Sequence, residues 1–355
     1  MAARLLLTCT TVLLTAGATW PGSGNRATPP ATRAALAGIL EVSDREFERL
    51  DDGHVVSRTL RVGDPREIGV LGMVRMRIPP ELFVARLADI VRFKQDEAVR
   101  QIGVFSTPAR LADVAGLTID GPDVRALEDC RAGDCGVQLP AEAIGRFRTE
   151  VDWRRADAPA RATVLMREFL VDYVGRYQLA GTDAGMAYAD RSEPVWLVQE
   201  FASLLQPDRD GWQWLPALRL HLLEYPRGSP ARTTSFIYWS KEQTGRRSVI
   251  GATHVAISRM PDDAPVRYAV ASKHIYGTHY FDASLGLTLL VSIPGSSPES
   301  TCVVYINRSR LDVFGGVFGG VTRRIVGSRA RATVAQQLGR LRQTLEREVA
   351  GGPVD

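Results

Sequence analysis

Through the last third of the chain hydrophobic and polar residues alternate with a period of two, which predicts long antiparallel strands. These are expected at 233–240, 249–259, 266–276, 279–293 and 301–309. Turn signals separate them: Gln243-Thr244-Gly245, Pro261-Asp262-Asp263, Gly277-Thr278 and Pro294-Gly295-Ser296-Ser297. The set reads as a five-stranded meander. At its centre, Gly277-Thr278 has the form of a two-residue type II′ loop. That loop pairs Tyr276 with His279 and sets Val266, Tyr268, Val270 and His274 against Leu289, Leu287, Leu285 and Phe281. It also sets Lys273 against Asp282, so apolar opposes apolar and plus opposes minus.

A helical period follows. Val326, Ala330, Val334, Leu338, Leu341, Leu345 and Val349 recur at steps of three and four along 321–349, with arginines on the other faces. Toward the N-terminus, 55–62 reads as a strand and 68–78 as a stronger one. Val70, Gly72, Val74, Met76 and Ile78 share one face of it, and Pro79-Pro80 ends it. Phe83, Leu87, Ile90 and Val91 then mark a helix. From 107 to 230 short helical patterns and Gly-Pro or Asp-rich turns replace the strands.

This order of strand, helix, long meander and C-terminal helix resembles the START-like, or helix-grip, superfamily. The passage from Met73 to Phe93 is similar to that superfamily's first strand-to-helix step. The resemblance covers 54–94 and 231–349. It implies an α+β fold in which a curved antiparallel sheet grips a long C-terminal helix, with an apolar cavity between them for an apolar or amphipathic small molecule or lipid. The body is then 37–106 and 231–349, and 107–230 is an α-rich insertion that either caps the cavity or fills it. The chain is also similar to secreted bacterial proteins of unknown function, which adds no chemistry.

With 355 residues, 45% apolar and 24% charged, the composition is that of a globular protein. The net charge is +4, and its arginines are spread along the chain rather than gathered in a patch, which argues against a nucleic-acid partner. Residues 1–18 have the form of a signal peptide: Arg4, an apolar run from Leu5 to Leu14, and Ala16-Gly17-Ala18. A periplasmic or secreted location follows from that reading. Residues 19–36 read as a flexible linker, and no later segment is long and apolar enough to span a bilayer. Export permits disulfides. Cys130 and Cys135, in a tight polar turn, are expected to pair, stabilising by about 2 kcal/mol. A two-thiolate metal site lacks a second ligand pair. Cys302 reads as a buried free thiol.

The candidate ligand-binding residues are Tyr238, His254, His274, Tyr276 and His279. The last three fall near the tip of the central hairpin, at the rim of a cavity or as the plug of a core. Tyr238 shares a strand face with Phe236, and Trp239 points the other way. The absence of a nucleophile elbow, an H-E-x-x-H helix and a dinucleotide fingerprint leaves enzymatic activity open, with no cofactor indicated. The alternative reading is a hydrolytic or metal-assisted enzyme using His274 and His279, with His254 if it converges on them. A second alternative is a cell-envelope interaction module presented by the insertion.

Overall fold

In the computed structural model, residues 27–206, 211–228, 230–245, 247–293, 299–314 and 319–351 are described. Residues 1–18, expected as a leader, and 19–26, the start of the expected linker, lie outside them. So does most of the glycine-rich run at 315–320. Residues 30–36, expected to extend the linker, are helical. Pro30 opens helix α1 (Pro30–Leu40), where its missing N–H costs nothing, and Leu36 is fully buried. Helix α2 (Asp44–Asp51) begins with a Ser43–Glu46 capping box.

The fold is α+β and is organised by one antiparallel eight-stranded sheet that is not closed. Its strands are β1 (Val56–Leu60), β2 (Glu67–Met76), β3 (Val99–Val104), β6 (Thr233–Thr244), β7 (Arg247–Arg259), β8 (Val266–Gly277), β9 (Phe281–Ile293) and β10 (Ser300–Leu311), in the order β1-β2-β10-β9-β8-β7-β6-β3. The run β10-β9-β8-β7-β6 is the expected meander. β3 adds an edge strand beside β6 that the sequence pattern does not reveal. A two-residue ribbon, β4 (Ala187–Tyr188) with β5 (Val195–Trp196), stands apart.

Each strand sends alternate side chains to opposite covers. Helices α3 (Pro80–Ala88), α4 (Ile90–Phe93) and the long α10 (Gly319–Val349) lie over one face. There Val70, Val74, Val303 and Leu290 pack with Val334, Leu338 and Leu345 of α10. Gly72 is the point of closest approach: a Cβ there would lie 2.5 Å from Val334 Cγ1 and 2.7 Å from a Leu338 methyl. The other face is covered by α1, α2 and the insertion helices α5 (Gly121–Glu128), α6 (Ala141–Glu150), α7 (Ala158–Ala180), α8 (Leu197–Leu204) and α9 (Pro216–Glu224). α7 is the core of that layer, burying Leu165, Met166, Phe169, Leu170, Tyr173 and Tyr177. Cys130 and Cys135 form a disulfide after α5, and Cys302 is a free, buried thiol.

The central hairpin has a different register from the expected one. Ala269, Val270, Ala271 and Lys273 pair with Leu289, Thr288, Leu287 and Leu285, a shift of three residues. Gly277-Thr278 is no type II′ loop: Gly277 keeps a negative φ, and the left-handed residue is Tyr280, at φ 70°. Beyond His274, β8 leaves β9 and runs on along β7, where Thr278 N–H donates to Ile250 O at 3.0 Å. Asp282 therefore meets Arg191 of the insertion at 2.7 Å, not Lys273. The expected register assumed one buried face. Both faces are covered, so matching large apolar pairs does not select the alignment.

Gly72 and Gly339 make opposite predictions. Gly72→Ala is expected to destabilise by about 1–3 kcal/mol through overpacking against α10. Gly339→Ala, whose nearest neighbour is Val55 Cγ2 at 4.0 Å, should stabilise by about 0.4–1 kcal/mol through helix propensity. Urea denaturation of the two variants reads both signs.

Candidate functional site

On the α10 face the sheet is covered unevenly. α10 packs on β1 and β2, and α3 and α4 lie beside it over β9 and β3. The gap is a cavity of about 800 Å³. Its apolar part is walled by Phe83, Leu87, Val255, Val270, Leu338 and Leu341. Small or polar residues continue the wall where the strands could have filled it: Ser272, Gly286, Ser284 and Thr288 on β8 and β9, Ser240 and Thr253 on β6 and β7. The exposed residues Gln95, Asp96 and Glu97 and the exposed Arg340 also line it, which places the opening between the α4–β3 loop and α10. Arg340 and Asp96 are 3.2 Å apart across that opening.

Near the opening a polar cluster projects into the cavity. Lys94, just past α4, sets its ammonium 2.8 Å from Glu242 Oε1 and 5.4 Å above the Tyr238 ring. Ser240 Oγ donates to the same Glu242 oxygen at 2.6 Å. Burial opposes the charge on Lys94, but Tyr238 and the Glu242 carboxylate more than offset it and raise its pKa. Burial likewise works against the Glu242 carboxylate, and Lys94 and Ser240 outweigh it, holding the group ionised. His274 sits beside the pair with Nδ1 3.3 Å from Thr253 Oγ1, its ring lying over Gly251 and Gly277, where a Cβ would meet it at 2.4–2.5 Å. Burial lowers its pKa to about 4, so the ring is neutral near pH 7. Tyr305, whose pKa burial raises, and Asn307 complete the wall from β10.

Of the candidate residues, Tyr238 and His274 line this cavity. The other three are directed to the insertion. Tyr276, next to the bulge that leaves Ile275 of β8 unpaired, donates from its hydroxyl to Gln138 O at 3.1 Å. His279, in the turn, lies 3.0 Å from Asp123 Oδ1 of α5. His254 pairs with Lys273 across β7 and β8, and its Nδ1 lies 3.1 Å from the Tyr177 hydroxyl. Its ring packs 4.3 Å from that of Tyr225, and burial lowers its pKa to about 3. The imidazoles of His274, His279 and His254 thus occupy a cavity wall, a turn and the opposite sheet face. Among the described residues no group of three His, Cys, Asp or Glu is placed to hold a metal ion. Among the described residues of 107–230 none lines the cavity; the segment's helices cover the other side of the sheet.

Sequence reasoning missed Lys94, Glu242 and Tyr305. Glu242 continues the Phe236, Tyr238, Ser240 face, but β6 runs four residues past its expected end. Lys94 had one signal: it is one of three lysines in an arginine-rich chain.

Comparison of the chain with family models, with curated proteins and with solved structures gives no match.

Lys273 has a different setting from Lys94. It is 1% exposed, donates to Leu222 O at 2.9 Å and lies over the Phe201 and Tyr177 rings, and no carboxylate pairs with it among the described residues. Burial takes it from 10.5 down to about 7. Between those values the unfolded chain binds the proton that the folded chain releases, so this group makes stability rise with pH across that window. Lys273→Met is expected to be the more stable protein at pH 7, by up to roughly 5 kcal/mol. That advantage should shrink toward pH 9.5. Thermal melts of both proteins across the range check it; a difference that does not vary with pH would exclude a buried, proton-releasing Lys273.

Proposed function

We propose that the protein is an exported binder of an apolar or amphipathic small molecule, held between the sheet and α10. The observation that carries this reading is the cavity of about 800 Å³, within the size range of small-molecule sites. Its walls combine aliphatic surface with a few convergent polar groups, the arrangement that buries a ligand's apolar part and orients its polar part. The START-like resemblance, with its gripped C-terminal helix and cavity at the same place, supports the same reading. The signal-like leader and the Cys130–Cys135 disulfide support an oxidising compartment outside the cytoplasm.

Native mass spectrometry and organic extraction of protein taken from its export compartment are expected to recover a bound amphiphile. Ser272→Phe, which places a ring into the cavity opposite Gly286, should weaken binding of an apolar fluorescent probe by about tenfold or more while thermal unfolding stays cooperative. A protein that binds no probe, or that binds it equally well with the ring in place, would exclude the cavity as the site.

A further inference from the structure

The charges around the cavity are already matched to one another, and this restricts what can enter. On the sheet wall the one carboxylate among the described lining residues is Glu242, and Lys94 lies against it at 2.8 Å. Arg86 pairs with Glu348 and Arg340 with Asp96 at the α10 side. The remaining charged lining residues, Asp89, Arg92 and Glu97, are exposed on the outer corner and its loop. Deeper in, the polar groups are neutral: the Thr253 and Tyr305 hydroxyls, the Asn307 amide and the His274 ring.

An anionic ligand must compete with Glu242 for the Lys94 ammonium and lie close to that carboxylate. A cationic ligand does the reverse. The two side chains keep 25% and 32% of their surface exposed, so water screens part of this penalty, and what remains still sets an ion at a disadvantage to a neutral ligand. An uncharged ligand disturbs neither and finds hydroxyl and amide partners beyond the pair. We infer that the Lys94–Glu242 pair is a charge filter that restricts the cavity to uncharged amphiphiles bearing hydroxyl or carbonyl groups. This rests on the reading of the cavity as the binding site. Discrimination comes from the penalty imposed on the wrong ligand as much as from attraction to the right one.

The experiment measures binding of dodecanol, dodecanoate and dodecylammonium, each below its aggregation concentration, by calorimetry at pH 7. The proteins are the full chain, Glu242→Gln and Lys94→Met. Dodecanol is expected to bind the unaltered protein at least about tenfold more tightly than either ion. Glu242→Gln should shift the preference toward dodecanoate, and Lys94→Met toward dodecylammonium. Either variant alone suffices, should the other not fold. If an ion binds the unaltered protein as tightly as dodecanol, or if the folded variants keep its order of preference, the filter is wrong while the binding site stands. If none of the three binds any of the proteins, the binding reading falls and the filter with it.

Discussion

The close approach of α10 to β2 at Gly72 is the contact on which the arrangement of that face depends. It lets Val334 and Leu338 sit against the backbone of one strand and so fixes the height of the helix over one end of the sheet. A helix about 10 Å across cannot cover eight strands. α3 and α4 roof part of the remainder, and the space beneath them persists because the strand positions facing it hold serine, threonine and glycine rather than leucine. Where the same strands face the insertion they carry Leu285, Leu287 and Leu289, and there the core is filled.

Residues 107–230 give the sheet a second covering layer. It satisfies buried polar groups that the sheet sends to it: the Tyr173 hydroxyl donates to Ile275 O, the Tyr276 hydroxyl to Gln138 O, and Lys273 to Leu222 O. These bonds tie the end of β8 to residues 107–230, and with the contacts of His254 to Tyr177 and of His279 to Asp123 they hold three of the candidate side chains away from the cavity. Buried polar groups of this kind give the interface a unique alignment. They leave His274 as the histidine that shares the cavity with the Lys94–Glu242 pair.

Much of the fold was legible in the chain. The meander strands, the face of β2 formed by Val70, Gly72 and Val74, the stripe of α10 and the opposed directions of Tyr238 and Trp239 follow from periods of 2 and 3.6, which local sterics impose whatever the surroundings. β3 was not legible, because an edge strand that is half exposed needs no strong alternation. The hairpin register was misread for a related reason. Period-two logic assigns faces only when one face is wet, and here Val270, Ser272 and His274 look to a cavity while Ala269, Ala271 and Lys273 look to a core.

By itself the sequence determined the elements, their order and the apolar stripe that α10 would bury, since these depend on neighbours a few residues away. Which strand positions would meet across the sheet, which cover each face would receive and where space would be left open depend on residues far apart in the chain. Lys94 and Glu242 are 148 positions apart, and nothing local marks them as partners. Only the tertiary structure brings them to one cavity wall, because only there does the residue following α4 reach β6, so that their charges compensate each other.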